Sequence, residues 1–134
     1  MKQETAISYN PIVSNAVDEI CAKLPPSNNY IALIFFASVN YDFHALSVSL
    51  KERYPDCEVI GTSTSGEIIQ GEGFVQHSIV ATALSCNKTW VSGVLINNVD
   101  KFNIFGVKTV EDAARKIGIN PGSPDCHKDA FAFS

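Results

Sequence analysis

The sequence predicts an α/β fold: a mixed sheet with a parallel βαβ unit and an antiparallel hairpin, and helices packed on the sheet. Three observations carry this. Tyr30-Ile31-Ala32-Leu33-Ile34-Phe35-Phe36-Ala37 is a continuous apolar run, which reads as a strand buried on both faces rather than an alternating, half-exposed one. Asp42 then stands where a helix cap is needed, and Phe43, Leu46, Leu50 and Tyr54 lie on one helical stripe that stops before Pro55. Glu58-Val59-Ile60-Gly61 follows as a short second strand. Strand, helix and strand at this length make a right-handed crossover between parallel neighbours.

The other elements are placed around that unit. Asn10-Pro11 predicts a helix start, because Asn caps free amides and proline at the first helical position loses no needed hydrogen bond. Val13, Ala16, Val17, Ile20, Cys21 and Leu24 recur with a period of about 3.6 residues, and Pro25-Pro26 ends the helix. Two strands are expected near residues 78–84 and 90–96, and the short Ser85-Cys86-Asn87-Lys88 connection makes them a hairpin. Thr109, with Asp112 three residues on, signals a last helix through Val110, Ala113, Ala114 and Ile117. Gly118 is placed for its C-cap, residues 120–128 read as a loop, and Asp129-Ala130-Phe131-Ala132-Phe133-Ser134 reads as a strand just begun. Residues 1–134 are therefore expected to be one domain that continues beyond Ser134 in the natural protein.

Bulk properties narrow the function. At 134 residues and 46% hydrophobic content the chain is apolar enough to fold around one core. Its formal charge is −4 and no stretch gathers Lys and Arg, so the basic face that nucleic-acid binding needs is not expected. No apolar run approaches the ~20 residues that span a bilayer, and Met1-Lys2-Gln3-Glu4-Thr5 lacks the apolar core of a leader. Cys21, Cys57, Cys86 and Cys126 form no C-x-x-C pair. A cytoplasmic protein with reduced thiols and no membrane insertion is the resulting expectation.

Chemistry concentrates between Gly61 and Glu67. Thr62-Ser63-Thr64-Ser65 is a run of four hydroxyl residues bounded by Gly61 and Gly66, read as a loop at the carboxyl end of a parallel strand, where open α/β sheets place ligands. The glycines shape it, Thr62, Ser63, Thr64 and Ser65 offer uncharged donors and acceptors, and Glu67 can orient a cationic group. The alternative is a solvated turn.

Catalysis finds less support. The G-x-S-x-G elbow fails because Ser65 stands where the second glycine belongs, and no histidine can be placed as its base. The phosphate-loop pattern fails because Glu67 replaces its lysine. His44, His77 and the Cys126-His127 pair show no zinc spacing, although one histidine suffices for an axial haem ligand. Phe35, Phe36, Trp90, Phe102 and Phe105 read as packing residues. The expectation is a non-enzyme without metal or cofactor.

The order of elements and the words in them carry a resemblance. Ala32-Leu33-Ile34-Phe35-Phe36-Ala37-Ser38, then Tyr41-Asp42, then a helix, then Val59-Ile60-Gly61-Thr62-Ser63-Thr64-Ser65-Gly66-Glu67-Ile68 resembles the amino-terminal half of the FIST domain. Gly73-Phe74 and Ile79-Val80-Ala81-Thr82-Ala83-Leu84 extend the likeness, which runs from Asn10 to Ile96 and continues more weakly to Ser134. Thr62 stands where a cysteine is common and Ser65 where alanine is common, making this stretch more polar than usual. The resemblance implies a sensory input module that binds a small polar ligand such as an amino acid. It also implies output through a histidine kinase, a cyclase or a chemotaxis protein. Haem-based nitric-oxide sensing and a protein–protein interaction module without ligand are the alternatives it leaves.

Overall fold

A computed structural model describes residues 1–87, 91–95 and 103–120 of the chain. They fall into two compact units, Met1–Thr89 and Trp90–Ser134. In chain order the first comprises β1 (Lys2–Ser8), α1 (Val13–Lys23), a 3-10 turn (Pro26–Asn28), β2 (Ala32–Ser38) and α2 (Phe43–Arg53). It continues with β3 (Glu58–Thr64), β4 (Glu67–Ile69), β5 (Gly73–Val75) and β6 (Ile79–Ser85). Four strands form a sheet in the order β1-β6-β2-β3, and β4 with β5 forms a separate antiparallel pair. Among the described strands only β2 and β3 run parallel; β6 is antiparallel to both β1 and β2. The mixed α/β sheet expected from the sequence is therefore present.

Alternation along β2 defines its faces. Leu33, Phe35 and Ala37 are fully buried and share one core with Ala16, Val17 and Ile20 of α1 and with Leu46 and Leu50 of α2. Ala6, Ala81 and Ala83 join the same core; their small side chains let a helix approach the sheet closely. The expected burial of both faces holds at Ala32, whereas Ile34 and Phe36 are half-buried.

Local chemistry sets the helix ends. Asp42 accepts a hydrogen bond from the Ala45 amide at 3.0 Å, the predicted N-cap. At the other end of α2 the Lys51 ammonium donates to the carbonyls of Pro55 (3.1 Å) and Cys57 (2.7 Å). The Tyr54 hydroxyl donates to the Leu24 carbonyl at 2.6 Å, tying together the C-terminal ends of α1 and α2, and burial pushes its ionisation far above the ordinary tyrosine range.

Several expectations need correction. The Asn10 side chain does not cap a helix starting at Pro11: it accepts from the Ile12 amide at 3.1 Å in a local turn, and α1 begins at Val13. β1 was not foreseen, because Lys2-Gln3-Glu4-Thr5 has the polarity of a solvated tail. β3 does not end at Gly61: Thr62, Ser63 and Thr64 continue it in register with Phe36, Ala37 and Ser38, since β-branched threonine suits a pleated strand. β6 is one arm of the expected hairpin, but it pairs with β1 and β2, and residues 91–95 are in no regular element. The antiparallel hairpin that does exist is β4–β5, which turns through Gly71 and Gly73, both at positive φ.

In the second unit α3 spans Asn103–Lys116, so Thr109 lies inside the helix rather than at its start. Its end is as predicted. Gly118 takes φ +75, its amide donates to the Arg115 carbonyl at 3.0 Å, and the Ile119 amide donates to Ala114 at 3.0 Å, the paired bonds of a Schellman ending. The expected strand at 129–134 and most of the loop before it lie outside the described residues.

The parallel pair depends on one close approach. Phe35 stands opposite Gly61 in register, and a Cβ on residue 61 would lie 2.3–2.5 Å from three carbons of the Phe35 ring. That ring is buried and stacks on Phe43, with centroids 5.3 Å apart and planes at 27°. Gly61→Ala is therefore expected to destabilise the fold by about 1–3 kcal/mol, the usual range for overpacking. Urea unfolding would show a lower midpoint at unchanged slope; an unchanged midpoint would contradict this packing.

Candidate functional site

Parallel β2 and β3 end side by side at Ser38 and Thr64, where the Val39 amide donates to the Thr64 carbonyl at 3.0 Å. β6 enters the same edge from the opposite direction, and the Ser38 amide donates to the Ser78 carbonyl at 3.0 Å. Strand ends from three parts of the sequence thus meet at one place, the carboxyl edge of the parallel pair.

Glu67 is the centre of this edge. It is only 5% exposed, and its two carboxylate oxygens accept hydrogen bonds from the hydroxyls of Thr64 and Ser78. Ser78 and Ser38 are themselves buried. Burying a carboxylate is expensive unless its oxygens are hydrogen-bonded, and the two hydroxyls meet that requirement without supplying positive charge. None of the described salt bridges involves Glu67, and the sequence from Tyr54 to Asn87 contains no Lys or Arg.

A polar rim surrounds this centre. The Asn40 amide group faces Ser38 Oγ at 3.5 Å and contacts Nδ1 of His77. His77 is held at φ +57. The Tyr41 hydroxyl reaches the carbonyls of Asn10 (2.9 Å) and His77 (3.3 Å). Burial raises the Tyr41 pKa, and the negative charges of Glu67 and Glu19 raise it further. Glu19 accepts from Ser8 Oγ at 2.6 Å and from the Asn10 side chain at 3.0 Å, and these bonds hold its carboxyl below the usual glutamate range. Tyr9 donates to Glu72 in the turn between β4 and β5, which raises the Tyr9 pKa.

The seven residues singled out from the sequence do not converge on one lining. Gly61 to Thr64 belong to a strand, so Thr62 and Thr64 point to one face and Gly61 and Ser63 to the other. Ser63 and Ser65 are exposed, and the Thr62 hydroxyl has a long 3.4 Å contact with the Ser63 carbonyl. The two glycines make room for aromatic rings: Gly61 for Phe35, and Gly66 for Phe74, whose ring lies 2.3 Å from where a Cβ on residue 66 would be. Thr64 and Glu67 are brought together. Ser38, Asn40, His77 and Ser78 were missed; their one sequence signal is that they flank the ends of apolar runs.

Among the described residues, concavities lie elsewhere. One is a shallow depression on α2, lined by His44, Ser47, Val48, Lys51, Glu52 and Pro55. Another is a small recess of about 50 Å³ beside Tyr30, Tyr54 and Cys57, where burial pushes the Cys57 thiol up to about 11. Among the described residues no three His, Cys, Asp or Glu side chains gather closely enough to hold a metal ion. His44 and His77 are both exposed; Cys126 and His127 lie outside the described residues. No described helix is long and apolar enough to cross a membrane.

Fold and edge together define a mixed-sheet α/β domain with a buried, hydroxyl-bonded carboxylate at the carboxyl end of its parallel pair. The family model described as FIST N domain matches residues 31–134, and the chain belongs to that family of signal-transduction sensory domains. No curated protein and no solved structure matches the chain. The family match starts after β1 and α1, yet Ala6, Ala16, Val17 and Ile20 share the core of the matched part.

The hydroxyl–carboxylate cluster makes a stability prediction. Glu67→Ala leaves the buried Ser78 hydroxyl without its acceptor, and a loss of about 1–3 kcal/mol is expected. Glu67→Gln keeps an acceptor oxygen and should lose less. Chemical denaturation of both variants measures this; a Glu67→Ala protein as stable as the parent would mean that the cluster is solvated.

Proposed function

We propose that this sensory domain recognises a small polar ligand carrying a cationic group, an amino acid or a related metabolite, at the carboxyl edge of β2 and β3. The observation that supports this reading is the buried Glu67 carboxylate, which has hydroxyl partners and no described cationic one. An arriving ammonium group would form a charge-assisted bond with Glu67, stronger than either neutral donor supplies. The hydroxyls of Thr64 and Ser78 can rotate to accept instead of donate. Thr62, Ser63 and Ser65 add polar groups around the edge, while Gly61 holds the backbone close to the buried Phe35 ring and Gly66 to the exposed Phe74 ring.

Signalling follows if the ligand prefers one of two arrangements of the Thr64–Glu67–Ser78 cluster, because differential affinity shifts their populations. The cluster bridges the end of β3 and the start of β6, and Glu67 opens the β4–β5 pair, so a change there moves the hairpin relative to the sheet. A histidine kinase, a cyclase or a chemotaxis protein would read that change. A cytoplasmic location belongs to the same reading, and the domain acts by binding rather than by catalysis.

The test is thermal stabilisation of the 134-residue chain by a panel of amino acids and polyamines. A ligand present at 100 times its Kd stabilises by about 2.7 kcal/mol. At least one compound should raise the melting temperature, and Glu67→Gln should abolish that rise while itself remaining folded. No rise across the panel, or a rise that survives Glu67→Gln, would overturn the assignment. A Soret band on hemin addition would replace it with haem sensing.

A further inference from the structure

The two edges of the four-stranded sheet differ in kind. A strand edge exposes unpaired amides and carbonyls, and proteins blunt such edges with charge, proline or a covering side chain. β1 is blunted: Lys2 pairs with Glu4, Glu4 also accepts from the Tyr30 hydroxyl at 2.5 Å, and the Lys23 ammonium covers the Ile7 carbonyl at 2.6 Å. β3 carries a charge at its first residue, Glu58, and beyond it none of these devices is found among the described residues. From Val59 to Thr64 it contains no charge and no proline, and among the described residues β2 is its single partner strand.

Which groups face outward follows from the ladder. The Glu58 amide donates to the Ile31 carbonyl at 3.1 Å, and the Thr64 carbonyl accepts from Val39 at 3.0 Å. In a parallel pair every second residue turns both its amide and its carbonyl to the neighbour. Glu58, Ile60, Thr62 and Thr64 therefore bond toward β2, and Val59, Gly61 and Ser63 present theirs to the open side. Among the described residues, the Thr62 hydroxyl approaches the outward Ser63 carbonyl at 3.4 Å.

We propose that a second copy of this chain pairs with that edge, β3 against β3, antiparallel about a twofold axis at Gly61. The strand is complementary to itself in this register. Val59 meets Ser63 and Gly61 meets Gly61, so every outward-facing residue exchanges bonds with another outward-facing residue. Ile60 meets Thr62, a β-branched pair of the kind that stabilises sheets. Glu58 meets Thr64 rather than its own copy, so no like charges are opposed. A twofold axis requires such a self-matching patch, and the result joins two four-stranded sheets into one. The pairing uses backbone groups and needs no ligand, so it stands apart from the proposed ligand reading.

Sedimentation velocity of the ligand-free 134-residue chain from roughly 1 µM to 1 mM should show a monomer giving way to a dimer. Amide hydrogen exchange locates the contact. Gly61 and Ser63 should exchange at least about tenfold more slowly at the high concentration, while Ile60 and Thr62, already in the β2 ladder, are protected at both. Ser63→Pro removes an outward amide without touching that ladder, and should give a folded monomer by circular dichroism and sedimentation. Should that variant not fold, Ser63→Lys, which places a charge on the edge, should likewise be monomeric. A chain monomeric throughout the range, or Gly61 and Ser63 amides whose exchange does not slow with concentration, would overturn the proposal, the latter even if a dimer forms by another surface.

Discussion

The fit of the Phe35 ring over Gly61 governs the geometry of the sheet and of the edge beyond it. Only a residue without a side chain can stand opposite that ring. The ring in turn stacks on Phe43 and seats α2 over the parallel pair. A slip of one residue would move the partly buried Val59 off the core and set Ile60 or Thr62 against the ring. Holding Phe35 to Gly61 brings Ser38 level with Thr64 three residues on. The site at the strand ends is thus positioned by packing several residues away.

The glycines and hydroxyls of Gly61–Glu67 consequently divide their roles. Gly61 and Gly66 give space to phenylalanine rings, Thr64 and Ser78 satisfy Glu67, and Ser63 and Ser65 are left on the surface. A stretch that looks uniform in composition is, in space, part packing, part internal hydrogen bonding and part exposed rim. The FIST N domain match begins at residue 31, so β1 and α1 lie outside it while completing the core that holds this edge.

Where local chemistry suffices, the sequence was readable. The Asp42 cap, the Gly118 ending, the helical stripes of α1 and α2 and the apolar run of β2 each depend on neighbours a few residues apart. What escaped depends on distant partners. β1 has the polarity of a tail and becomes a strand because β6 pairs with it. Thr62–Thr64 has the composition of a turn, but register with β2 extends it. Glu67, set among serine and glycine, reads as a loop carboxylate able to orient a cationic group; its burial against the Ser78 hydroxyl, eleven residues further on, is not visible there. No periodicity records that encounter.

Strand order also has a consequence for how the molecule is made. β6 lies between β1 and β2, so β1 borders neither of the two sheet strands that follow it in the chain. Until Ile79–Ser85 leaves the ribosome, β1 has no neighbour, and β2 can pair on one side alone through β3. The βαβ segment can assemble early, but β1 must wait for insertion of a strand more than seventy residues later in the chain. Closing so long a span slows folding, and it leaves one side of β2 open to unwanted pairing during translation.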